Sequence, residues 1–177
     1  MHVKAKTIAV CGLMLALSVV FMALGSVIET STLFLLAAAS FFTGIVIREF
    51  GVGMGAAFWL AAVLLGFLLA PNKFYVVTFA AMGLYIVVVE FSYRQLGKIQ
   101  GITHRKAVLW VIKYAVFNLL YIPAVLGFQE LMFGRDISGT FLAVVIISGQ
   151  AGIFIYDNAY EYVQRHIWSR MRRHLMN

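Results

Sequence analysis

Three ionisable residues stand at the edges of, or inside, otherwise apolar runs: Glu90, Lys113 and Asp157. Lys113 lies six residues beyond Ala107, where its run begins, which is about 9 Å of helix at 1.5 Å rise per residue. Asp157 reaches a comparable depth if its helix continues to about Tyr162. A lone lysine at mid-bilayer costs about 2.5–3.5 kcal/mol on insertion scales. It must therefore pair with a carboxylate, Asp157 or Glu90, or lay its stem along the helix and put its ammonium among the headgroups. A proton relay is a third reading, although no chain of acids runs across the apolar segments.

A second group of polar residues gathers at the opposite ends of the apolar runs. The connecting segments bring Glu29, then Asn72, Lys73 and Tyr75, then Gln129, Glu130, Arg135 and Asp136. The runs themselves add Asn118 and Tyr121, just before Pro123, and Ser148 and Gln150. Solvation of helix ends accounts for each residue taken singly. As a set, polar groups converging on apolar walls are what a small-molecule pocket requires, and the segment from Gly127 to Gly139 mixes Phe128, Leu131, Met132 and Phe133 with polar residues as a lid would.

Catalysis finds little footing. No H-E-x-x-H, C-x-x-C, G-x-S-x-G or G-x-x-x-x-G-K-[ST] occurs, and His2, His104, His166 and His174 all lie in basic segments outside the apolar runs. Cys11 has no partner cysteine and reads as a small apolar residue. No metal site, no cofactor and no enzyme activity are expected. Gly51, Gly53 and Gly55 follow no strand, so they are no dinucleotide fingerprint; they mark a close helix crossing or a turn. Ala5, Ala9, Gly12 and Ala16, with Ala23 beyond, recur every three or four residues and line one helix face. Small residues let another helix approach closely in lipid, either within this chain or from another membrane subunit.

The elements that carry these residues follow from composition. The 177 residues are 63% hydrophobic and 12% charged, with mean hydropathy +0.93, against about 45–50% and about 25% in soluble domains. That excludes a soluble globular domain, a disordered chain and a disulfide-stapled module. Cutting the sequence at its charges leaves six runs, approximately 7–28, 30–47, 50–70, 74–93, 107–126 and 137–160. In lipid, backbone groups must be satisfied internally, and stretches such as Phe58–Leu65 do not alternate as barrel strands do. The expectation is one integral domain, an all-α bundle of six transmembrane helices. The second and fourth runs are short for a full crossing, so tilt, an interfacial end or a re-entrant path is open for them. The first run resembles a signal peptide, with Lys4 and Lys6 before it and Ala23-Leu24-Gly25 near its end, but its 22 uncharged residues are long for a signal core, and it is read as retained.

The net charge of +7 is sorted. With the N-terminus inside, the inner segments hold Lys4, Lys6, Arg48, Arg94, Lys98, Arg105, Lys106, Arg165, Arg170, Arg172 and Arg173, and the outer ones only Lys73 and Arg135. This asymmetry predicts both termini in the cytoplasm and an even number of spans. It describes orientation in a membrane and not a nucleic-acid partner.

Six short helices, both ends inside, about 180 residues and the small-residue stripe resemble the substrate-binding (S) components of energy-coupling-factor (ECF) transporters. Lys6-Thr7-Ile8-Ala9-Val10-Cys11-Gly12-Leu13-Met14-Leu15-Ala16-Leu17 is similar to their usual opening, as is the Gly-rich third helix ending in Leu64-Leu65-Gly66. The resemblance spans nearly the whole chain in architecture and carries no vitamin-specific signature. It implies a prokaryotic plasma-membrane protein that captures a vitamin-like micronutrient in an outward-facing pocket. It also implies a transmembrane coupling subunit and ATPase subunits as partners, met through an A-x-x-x-A-type stripe on helix one. That stripe maps onto Ala5, Ala9, Gly12 and Ala16; Gly12 departs from alanine but keeps the small size. The pocket residues (Glu29, Asn72, Lys73, Tyr75, Asn118, Tyr121, Gln129, Glu130 and Gln150) rest on their place in the topology. The alternative is a scaffold protein of envelope or cell-shape machinery that acts through helix–helix contacts alone.

Overall fold

The computed structural model describes residues 2–99, 104–127 and 139–175. Among them every regular element is helical: α1 (His2–Val27), α2 (Thr32–Phe50), α3 (Val52–Leu69), α4 (Lys73–Lys98), α5 (Arg105–Gly127), α6 (Gly139–Tyr162) and α7 (Ser169–Leu175). A 3-10 turn at Glu29–Ser31 joins α1 to α2, and a π-helical turn at Val163–Trp168 joins α6 to α7. Six helices are long and apolar enough to cross a membrane: Ala5–Val27, Glu29–Phe50, Val52–Leu69, Lys73–Lys98, Arg105–Gly127 and Gly139–Arg172. With its 3-10 entry the second reaches 22 residues, and the fourth 26, so both are longer than their apolar runs suggest. The fourth gains its length at the C-terminal end, through Arg94–Lys98, whose charges stop an apolar run without stopping a helix. The sixth continues past residue 160 for the same reason.

The chain divides into two compact units, Met1–Gly101 and Ile102–Asn177. In the first, α2 is the hub and packs against α1, α3 and α4. Its burial, 56% of its most apolar window against 22–39% for its neighbours, explains why it carries no polar face. The core joins Val19 and Met22 of α1, Leu36 and Ala39 of α2, Ala62 of α3 and Val76 and Phe79 of α4.

Glycines set the closest approaches. At Gly66 an added Cβ would lie 3.0 Å from both Met22 and Val76. Gly51 has φ +97°, a conformation that strains any residue with a Cβ. It ends α2 by donating its N–H to the Ile47 carbonyl (2.9 Å), and its own carbonyl receives the Gly55 N–H (3.0 Å). An added Cβ at Gly55 would stand 3.1 Å from the Ile47 Cα. Gly51-x-x-x-Gly55 is thus both the turn and a close crossing of α2 and α3, whereas Gly53 faces open space.

The second unit is the helical pair α5–α6 with its C-terminal extension. Only 6% of the most apolar window of each helix is buried. What is buried is Val125 of α5 and one stripe on the longer helix: Ile153, Asp157, Tyr160, Gln164 and Trp168.

Candidate functional site

Lys113 and Asp157 form an ion pair. Lys113 Nζ donates to Asp157 Oδ2 at 2.7 Å, with side chains 12% and 4% exposed. The ammonium also lies 5.1 Å from the centroid of the Trp110 ring, whose negative face attracts a cation. Trp110 is held by Phe154 of α6, stacked at 5.9 Å between centroids. The carboxylate and ring therefore reach Lys113 from both helices of the pair.

Glu90 belongs to a different pair. Arg48, in the last turn of α2, approaches Glu90 Oε1 through Nε at 2.6 Å and through Nη2 at 2.5 Å. One turn further along α4, Arg94 Nη2 donates to the Ile47 carbonyl at 2.5 Å. A buried carboxylate must be paired, and carbonyls at a helix end must find donors. Arg48 meets the first requirement, and Arg94 adds a second donor to the Ile47 carbonyl that already receives the Gly51 N–H, at the same end of α2. Neither arginine stood out in the sequence, because each falls at the end of an apolar run, where a solvated charge is ordinary. The available signal was that α2 and α4 must end on the same side, which places Arg48 opposite Glu90.

A ladder of polar contacts continues along α5 and α6 from the Lys113–Asp157 rung. Gln150 Nε2 donates to Asn118 Oδ1 at 2.8 Å, and Asn118 Nδ2 lies 3.4 Å from Gln150 Oε1 and 2.8 Å from the Tyr114 carbonyl. Tyr121 donates its hydroxyl to the Val145 carbonyl at 2.8 Å, which Ser148 Oγ also reaches at 2.8 Å. Gly149 makes room for the phenol: an added Cβ would lie 2.7 Å from the Tyr121 hydroxyl. Phe117 stacks on Tyr121 at 4.9 Å between centroids. Asn118, Tyr121 and Gln150 are thus brought together, and they bond to one another and to backbone.

The remaining pocket candidates are more scattered. Asn72 Oδ1 accepts from the Phe74 N–H at 3.0 Å and caps α4. Lys73 Nζ donates to the carbonyls of Phe67 (2.5 Å) and Ala70 (2.9 Å) and so closes the end of α3. Glu29 is exposed in the 3-10 turn, and Tyr75 packs half-buried against the core of the first unit. Gln129, Glu130, Arg135 and Asp136 lie outside the described residues. Among the described residues no three His, Cys, Asp or Glu side chains converge as metal ligands would.

On α1 the stripe Ala5, Ala9, Gly12 and Ala16 is exposed along its whole length, and a Cβ added at Gly12 would meet nothing within 4 Å. At about 100° per residue these four fall within an arc of about 60°. Met14, Ser18, Met22 and Gly25, all buried, fall roughly opposite. Ser18 fixes that rotation, with Oγ 3.0 Å from the Met14 carbonyl and 3.3 Å from the Ala39 carbonyl of α2. Large apolar residues flank the stripe on its open side, including Ile8 and Leu13, 70% and 56% exposed. Within the first unit α1 packs through the side opposite the stripe.

No protein-family model, curated protein or solved structure matches the chain.

Proposed function

We propose that the protein is the substrate-capture subunit of an ECF-type micronutrient importer, lying in a prokaryotic plasma membrane with both termini in the cytoplasm. The observation that carries this reading is the α1 stripe. Ala5, Ala9, Gly12 and Ala16 are exposed on the side of α1 away from the core, where an approaching helix would find no side chain longer than a methyl. On this reading the helix belongs to the transmembrane coupling subunit, and the associated ATPase subunits supply the energy. The polar rungs of α5 and α6 and the outer connecting segments would supply the groups that recognise a vitamin-like substrate.

The test is copurification of the tagged protein with an ATPase-linked membrane subunit from its native membrane. Ala16→Trp places an indole in the middle of the stripe. Because Ala16 is exposed, the variant folds with an unchanged melting temperature and loses the association. Retention of the association by the folded variant defeats the docking role. Native mass spectrometry of the freshly purified protein tests the capture role by the mass of a retained small molecule.

One observation favours a second reading, a scaffold acting through helix contacts. Asn118, Tyr121 and Gln150 are engaged with each other and with the backbone, as groups that only hold two helices together would be. No retained or added small molecule, with a helix partner still captured, selects the scaffold.

A further inference from the structure

The N-terminal part of α1 is held by little. No residue from Ala5 to Leu13 is buried, and the buried face begins at Met14. At its other end α1 is tied to α2 beside the turn that joins them, where Thr32 Oγ1 donates to the Gly25 carbonyl at 2.8 Å. Between these two regions Ser18, fully buried, reaches from α1 to α2.

Ser18 has one hydroxyl proton and two acceptors. Its Oγ lies 3.0 Å from the Met14 carbonyl of its own helix and 3.3 Å from the Ala39 carbonyl of α2. A carbonyl oxygen has two lone pairs. Because α2 is helical from Thr32 to Phe50, one lone pair of Ala39 receives the Thr43 N–H four residues on, and Ser18 approaches the other. Thr43 is left over. Its side chain is 0% exposed, and its hydroxyl has no hydrogen-bond partner. A helical threonine commonly returns its hydroxyl to the carbonyl four residues back, which for Thr43 is Ala39. An unsatisfied buried hydroxyl costs stability, and hydrocarbon holds no water to satisfy it.

We propose that Ser18 and Thr43 form a hydroxyl relay on the Ala39 carbonyl that sets how firmly α1 is held to α2. In one arrangement Ser18 donates across to Ala39, the two helices are bonded, and Thr43 is orphaned. In the other the Ser18 proton turns to Met14, and Thr43 rotates about χ1 onto Ala39. Both hydroxyls are then satisfied, but the bond between the helices is gone. Each arrangement has what the other lacks, and that near balance makes a two-state element. The Ser18–Ala39 distance of 3.3 Å already exceeds the usual hydroxyl–oxygen range of about 2.5–3.0 Å, so a small displacement of α1 decides between them. α1 also carries the exposed stripe, and a partner helix that draws on Ala5, Ala9, Gly12 and Ala16 pulls on this bond; that step alone rests on the docking reading.

The test is the thermal unfolding midpoint of the isolated full-length protein in mild detergent, which needs no partner and stands whether or not docking occurs. Thr43→Val keeps the shape of the side chain and removes the orphaned hydroxyl, so it raises the midpoint by about 2–8 °C. Ser18→Ala opens the Ala39 carbonyl to Thr43. In that background Thr43→Val removes a bonded hydroxyl and lowers the midpoint by about 1–6 °C. Thr43→Ser, which keeps the hydroxyl, does not reproduce the rise. The reversal of sign belongs to the relay, since a change that only alters packing at Thr43 acts in the same direction in both backgrounds. Absence of a rise in the parent background, or the same sign in both, overturns the proposal.

Discussion

Removing the ammonium of Lys113 tests whether the buried pair on α5 and α6 holds the two helices together. Lys113→Met keeps the length and apolar character of the side chain and deletes its charge. Asp157, 4% exposed, is left as a carboxylate facing a thioether. Breaking a buried pair by removing one partner costs about 3–5 kcal/mol, because the surviving charge has lost its counterion. Water reaching the vacated position of Lys113, whose side chain is 12% exposed, relieves part of this, so about 2–3 kcal/mol remains. At about 2–4 °C per kcal/mol for a chain of this size, the midpoint of thermal unfolding in mild detergent falls by roughly 4–12 °C. Asp157→Asn costs less, because its amide oxygen still accepts from Lys113 and the Trp110 ring, 5.1 Å away, still faces the ammonium. Lys113→Met/Asp157→Leu leaves no buried charge and recovers most of the loss, since exchanging a whole buried pair for apolar groups is about neutral. The assay is a double-mutant cycle on unfolding midpoints, with tryptophan fluorescence as a second probe. The reasoning fails if Lys113→Met unfolds at the parent midpoint, or if the double variant is no more stable than the worse single one.

Gly51→Ala forces a Cβ into a backbone with φ +97° and lowers stability by about 1–2 kcal/mol, whereas Gly53→Ala, in open space within α3, is neutral or raises stability by up to about 1 kcal/mol; denaturant titration of the two variants distinguishes them. Asn118→Leu strands the Gln150 amide and costs about 1–2 kcal/mol, and Asn118→Leu/Gln150→Leu costs less than the sum of the two single changes; unfolding midpoints give the coupling.

How far the sequence reached can be judged residue by residue. The six helices were legible because lipid demands apolar runs of fixed length, and charges such as Arg48 and Pro71-Asn72-Lys73 bound those runs. Helix ends were less legible. Tyr93, Arg94 and Lys98 carry charge and polarity that end an apolar run, yet the backbone of α4 continues helical to Lys98, since polarity sets where lipid stops and not where hydrogen bonding does. The Lys113–Asp157 pair could be framed because both residues were anomalous inside apolar runs, but choosing Asp157 over Glu90 needed Arg48, whose position at a run's edge made it ordinary. Asn72 and Lys73 show the opposite limit. The same donors and acceptors that could meet a ligand cap α4 and close α3, and residue type does not separate the two uses.

The α1 stripe shows what coordinates add to a pattern. Spacing alone allows two explanations for Ala5, Ala9, Gly12 and Ala16, packing within the bundle or an open face, because both require small residues. Within the first unit the buried residues of α1 begin at Met14 and continue through Ser18, Val19, Met22 and Gly25, on the other side of the helix. A helix that packed through its stripe would present Ile8 and Leu13 to its neighbours and leave Met14 and Ser18 outside, the reverse of what is found in the first unit. Lipid alone has no need for small residues there, since Leu or Ile fill an acyl environment equally well and disfavour helix only slightly. Gly12, in the middle of the stripe with nothing within 4 Å of an added Cβ, gives up helix stability of about 1 kcal/mol relative to alanine for no contact among the described residues of the first unit. A close-approaching partner helix is the physical reason that would offset that loss. Gly12→Leu is accordingly expected to leave the isolated protein at least as stable as the parent while blocking its capture of a partner. A destabilised Gly12→Leu would instead mean that the stripe serves the fold itself.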